Sequence, residues 1–226
     1  MAERTLMRIG AGSAVVGAIV FSIANIVHPR SPDIEVTREQ VETVADSGIW
    51  IADHFVWYLG FILIVGGLVA IQRSIEGERG AALARLGYVA ALISAGLAAV
   101  LMGIDGRASK EIFDAWAAAP ADEAGTALLI AEATEELNFG MFSILIVTFF
   151  GVTYALYGLS VALSTTYPNW LGWVAVVLSV VGFVVGAAVY LGGPSELLIN
   201  FLFTGVSSLL VFWTLVIGVL LWRKTT

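Results

Sequence analysis

An all-α bundle of six transmembrane helices is the fold class the sequence predicts, and three observations predict it. Of 226 residues, 59% are hydrophobic and only 13% charged, about half the charge of an ordinary soluble domain. Mean hydropathy is +0.92. The apolar residues gather into six stretches, residues 9–27, 49–72, 81–104, 138–163, 169–192 and 197–222, close to or above the ~20 helical residues that cross a hydrocarbon core. Windows this long without alternating polarity exclude outer-membrane strands.

The same composition excludes a soluble globule and a disordered chain. A net charge of -7 argues against a nucleic-acid partner. With no Cys there is no disulfide framework, thiolate nucleophile or Cys-ligated metal.

The first span follows Arg4 and Arg8 and ends at His28-Pro29-Arg30. It is long for a signal-peptide core and lacks a clean A-x-A site, so it reads as a retained anchor. Thr37-Arg38-Glu39-Gln40 has a capping-box pattern that predicts a short helix with Val41 and Val44 on one side. The second span closes in the charged stretch from Arg73 to Arg79. After the third, residues 108–119 carry Ile112, Phe113 and Trp116 at helical spacing, predicting an amphipathic helix on the membrane interface. Beyond Pro120, Asp122 and Glu123 favour a helix start, predicted to run into the fourth span and hold Glu132, Glu135 and Glu136 just above the bilayer. Tyr167-Pro168-Asn169 and Gly192-Gly193-Pro194 separate the last three spans. The chain 1–226 reads as one transmembrane domain with outer loops 28–48 and 105–137 partly helical.

Orientation follows from the basic residues. With the N-terminus inside, Arg4, Arg8, Arg73, Arg79, Arg85, Arg223 and Lys224 are cytoplasmic, against Arg30, Arg38, Arg107 and Lys110 outside. Only Glu3, Glu76 and Glu78 of the acidic residues are then inside, leaving an acidic outer cap. The reading is an integral protein of the cytoplasmic membrane with both termini cytoplasmic. An 85-residue shift aligns Leu86-Gly87-Tyr88-Val89-Ala90 with Leu171-Gly172-Trp173-Val174-Ala175, which suggests a hairpin repeat of spans two–three and four–five. Small residues recur every fourth position (Gly10, Ala14, Ala18 and Ser22; Gly87, Ala91, Ala95, Ala99 and Gly103; Gly182 and Gly186) and allow close helix packing or a homo-oligomer.

Polar residues gather at the outer helix ends. Asn25 and His28 close span one, Asp53 and His54 open span two, and Asp105 closes span three. Glu132, Glu135, Glu136 and Asn138 open span four; Glu196 and Asn200 open span six. His28, His54, Asp105 and Glu132 are the candidate ligands for Zn, Fe or Mn. Asp53, His54, Asp105, Glu135 and Glu136 are the candidate catalytic groups. Asp53 and His54 point about 100° apart on a helix, so both are not expected to face one cavity squarely. Haem is disfavoured, because bis-His ligation wants a deep apolar slot and these histidines are interfacial. Gly158-Leu159-Ser160-Val161-Ala162 lacks the closing Gly of a nucleophile elbow. No H-E-x-x-H or H-x3-H spacing marks a metal site, and outer helix ends are normally polar, so interfacial decoration is the competing reading.

Trp50, Trp57 and Trp116 fall near one boundary, and Tyr167, Trp170, Trp173 and Trp222 near the other, as an interfacial belt does. Trp57, Tyr58, Phe139 and Phe142, with Asn138 and Asn200, are the candidate lining of a pocket for an amphiphile such as a lipid or isoprenoid. Two functions follow: an enzyme on a lipidic or small amphiphilic substrate at the outer face, or a small-solute transporter or complex subunit whose polar layer is structural. Duplicated halves favour transport; the lack of midplane charge opposes it.

Overall fold

A computed structural model describes residues 2–225, all helical in their regular structure and without strands among the described residues. The elements are α1 (Ala2–Val27), α2 (Thr37–Asp46), α3 (Trp50–Ser74), α4 (Glu78–Gly103), α5 (Lys110–Ala117), α6 (Ala124–Leu145), α7 (Tyr154–Ala162), α8 (Asn169–Gly192) and α9 (Thr204–Thr225). Three wider π-helical segments, Ile104–Ser109, Ile146–Thr153 and Leu197–Phe203, join α4 to α5, α6 to α7, and lead into α9. Six helical runs are long and apolar enough to cross a membrane, including continuous runs Glu78–Ala117 and Ala124–Ala162. This is a multi-pass membrane bundle, and its outward side chains (Ile9, Leu86, Val177, Phe212) are the apolar ones a bilayer tolerates.

The π segments share a device. Each ends on or is followed by a hydroxyl residue bonded to the carbonyl five positions back: Ser109 to Ile104 at 3.1 Å, Thr153 to Thr148 at 2.9 Å and Thr204 to Ile199 at 3.1 Å. A widened turn displaces its carbonyls from ordinary i−4 bonding, and in hydrocarbon a side-chain hydroxyl replaces the water that would otherwise compensate.

Close backbone approach holds the bundle together, since lipid offers no hydrophobic contrast. A Cβ on Gly60 of α3 would fall 2.6 Å from the Phe21 nitrogen of α1, and one on Gly67 2.6 Å from the Ala14 Cβ. Gly10 and Ala14, expected from sequence to serve close helix packing or a homo-oligomer, pack on α3, as Gly182 and Gly186 do on the second π segment. On α4 the buried stripe is Gly80, Ala84, Gly87, Ala91, Ser94, Ala98 and Leu101, alternating steps of four and three. The four-residue series drifts off it, leaving Ala99 and Gly103 exposed, because each step of four overshoots a full turn by about 40°.

Arg4 and Arg8 donate Nε hydrogen bonds of 2.8 and 3.0 Å to the Thr225 carbonyl, which puts both ends of the described chain at one end of the bundle. The other end carries α2, α5 and the start of α6. Here two sequence expectations change. The capping box does not form: Val36 precedes α2 without a side-chain cap, and Gln40 turns back to donate to the Ile34 carbonyl at 2.6 Å. Phe113 is fully buried with Val41, Val44, Trp50 and Ala131, so α5 turns its apolar side to this cluster and α2 rather than resting only on lipid. Lys110 reinforces the cap by donating to the Ala45 carbonyl at 3.0 Å.

Candidate functional site

A cavity of about 170 Å³ opens under this cap, bounded by α1, the loop after it, α2, α3, the first and third π segments, α6 and α9. Its polar side is lined by His28, Asp53, His54, Asp105, Glu135 and Asn138, and its apolar side by Phe21, Trp57, Met102, Phe139, Phe142 and Phe203.

The histidines stand 5.1 Å apart, ring centre to ring centre, each against its own aspartate. His28 Nδ1 lies 2.8 Å from Asp53 Oδ2. An ionised carboxylate only accepts, so Nδ1 donates, and in the neutral ring Nε2 carries the lone pair. His54 Nδ1 lies 2.8 Å from the Trp50 carbonyl, which also can only accept. That fixes the proton on Nδ1 and turns Nε2 toward Asp105 Oδ2 at 3.2 Å. Two lone pairs cannot face each other at that distance without a shared proton or a cation between them.

Asp53 and His54 both reach the cavity, against the expectation from their 100° offset. The partners come from different elements: His28 just beyond α1 meets Asp53, and Asp105 in the first π segment meets His54. Gly106 permits the second contact, since a Cβ there would lie 2.6 Å from His54 Cβ. Trp50, expected in the interfacial belt, is buried, and its Nε1 donates to the Asp105 carbonyl at 2.8 Å.

Asn138 ties the acidic groups together. Its Nδ2 lies 2.8 Å from Ser109 Oγ, 3.2 Å from Glu135 Oε2 and 3.3 Å from Asp105 Oδ1. Asp53 Oδ1 and Asn138 Oδ1 are buried and have no hydrogen-bond partner. A buried carboxylate oxygen without a donor is costly and marks a place where a proton donor or cation belongs.

Of the sequence candidates, the structure brings His28, Asp53, His54, Asp105, Glu135, Asn138, Trp57, Phe139, Phe142 and Asn200 to this cavity. Glu136 is exposed on the opposite side of α6; Glu132 and Tyr58 are half-buried and do not line it. A helix turns 100° per residue, so the face that presents Ala131, Glu135 and Asn138 inward must turn Glu136 away. Among the described residues, His28, Asp53 and His54 are the group whose ligand atoms all lie within 4.8 Å of one another; Asp53 stands where the sequence set had Asp105 and Glu132. Thr204, Ser207 and Phe203 were missed; their signal was the i, i+3, i+4 phasing of the last span.

No family model, curated protein or solved structure matches this chain.

Proposed function

We propose that this membrane protein is an enzyme that hydrolyses an ester or amide bond at the polar end of an amphiphile. The observation that carries the proposal is the pair of His–Asp contacts side by side in the lining of one cavity. Asp53 orients His28 so that Nε2 is free to take a proton from water. The water oxygen bonds to the acyl carbon, and the leaving oxygen or nitrogen takes the proton shared between His54 and Asp105. The proton on His28 then returns to refill that position through solvent.

The apolar side supports an amphiphilic substrate. A volume near 170 Å³ accommodates a head group and a few methylenes; a cavity of about 150 Å³ holds a benzene. The rest of a longer chain would lie in the bilayer. In this reading the basic end faces the cytoplasm and the cavity faces outward, as the basic-residue asymmetry favours.

Fluorogenic acyl esters and amides of graded chain length, presented to the full chain in nanodiscs, test the proposal. Turnover that falls at least ~100-fold in His28→Ala and Asp105→Asn, with helicity retained, supports it. Binding of the probes without turnover would assign the cavity to carriage instead, and turnover surviving both substitutions would overturn the assignment.

A further inference from the structure

We propose that His28, Asp53 and His54 hold one divalent first-row transition-metal ion at the head of the cavity. The inference rests on the hydrolytic reading of the same cavity and revises its base, since His28 and His54 on an ion leave Asp105 to take the proton from water; ion binding is measured independently of turnover.

Four features point to a cation. The three ligand atoms already lie within 4.8 Å of one another. Ligands about 2.0–2.1 Å from a tetrahedral ion sit roughly 3.3 Å apart, so modest side-chain rotation closes the site. His28 lies past the end of α1 and before Pro29, where the backbone is no longer helical. Asp53, with its side chain 2% exposed, has an oxygen with no partner. His54 commits Nδ1 to a backbone carbonyl, the contact that orients most metal-binding imidazoles, and holds Nε2 3.2 Å from the Asp105 carboxylate, a gap that a proton or a cation bridges. Finally, Asp53, Asp105 and Glu135 line the cavity together, and only Arg30 at its exposed edge carries a fixed positive charge.

Two imidazoles select a transition ion over Ca²⁺ or Mg²⁺. Three protein ligands leave a position open for water or substrate, the arrangement of catalytic rather than structural sites. A divalent ion there would supply an acidified water, and Asp105, with Oδ2 3.2 Å from His54 Nε2, would take its proton.

The test uses the full chain, stripped with chelator and re-equilibrated separately with Zn²⁺, Mn²⁺, Co²⁺ and, without oxygen, Fe²⁺. One ion per chain by elemental analysis, and visible Co²⁺ d–d bands, are expected. His28→Ala and Asp53→Asn should each weaken binding at least ~100-fold, and Glu123→Gln in an exposed turn should not. His28→Ala is the decisive variant, since at 33% exposure that side chain is the least buried of the three ligands. Failure to retain any of the four ions, or ion content in both ligand variants equal to that of the parent, overturns the metal. Turnover without bound ion would overturn it while leaving the acid–base reading; bound ion without turnover would do the reverse.

Discussion

Gly106 lies directly against His54, so close that a Cβ at position 106 would fall 2.6 Å from His54 Cβ and 3.1 Å from Cγ. The atoms it would strike belong to the root of the imidazole, not a flexible tip. Gly106→Ala must therefore push the first π segment away from α3 and lengthen the His54–Asp105 contact. Overpacking of this kind costs about 1–3 kcal/mol. The expected result is a lower melting temperature together with loss of the chemistry or ion binding that depends on His54. A variant that melts lower yet keeps both would show that the contact is packing alone.

Asn138 is the amide that keeps two carboxylates tolerable. Its two Nδ2 protons are shared among Ser109, Glu135 and Asp105. Asn138→Ala leaves those acceptors short of a donor and should cost about 1–3 kcal/mol. Asn138→Asp replaces the donor with a third carboxyl and should cost more. Chemical denaturation of the two variants in the same detergent checks the order; equal losses would mean the amide contributes volume rather than hydrogen bonds.

Much of this site was legible because hydrocarbon expels charge. The ionisable groups had nowhere to go but the helix ends, so His28, Asp53, His54 and Asp105 could be grouped before any coordinates. Rotation about each helix axis was not legible. Glu132, Glu135 and Glu136 look equivalent in the chain, and only packing of Ala131 against the cap and Asn138 against Ser109 selects Glu135. The π segments were also hidden: an extra residue in a turn leaves composition unchanged, and its mark is a Ser or Thr five residues after a carbonyl it must satisfy. Asp53 and His54, 100° apart and so not expected to face one cavity squarely, both line it because their partners, His28 and Asp105, approach from two sides.

The small core of the cap couples folding to the site. Phe113 is fully buried among Val41, Val44, Trp50 and Ala131, and Trp50 contacts both Asp105 and His54. Phe113→Ala should cost about 3–5 kcal/mol if the cap cannot collapse around the hole. Amide exchange should accelerate in α2 and α5 while α8 and α9 stay protected. Uniform acceleration across the bundle would show that the cap is not a separate cooperative unit.

At the opposite end, Tyr167 lies outside the spanning helices but is buried, its hydroxyl 2.7 Å from Ser74 Oγ and its ring 4.8 Å from the Lys224 ammonium. Burial pushes the phenol up to about 12, with the Ser74 hydrogen bond offsetting part of the rise. An unfolded tyrosine titrates near 10. Because the folded value is the higher one, the stabilisation is fully present below about pH 10 and is lost as pH rises through about 12. Tyr167→Phe keeps the ring under Lys224 and removes only the titrating group. The difference in melting temperature between the two proteins should therefore be constant below about pH 10 and shift against the parent between about 10 and 12. A constant difference across that window would show that the phenol is as free to ionise in the folded bundle as in the unfolded chain.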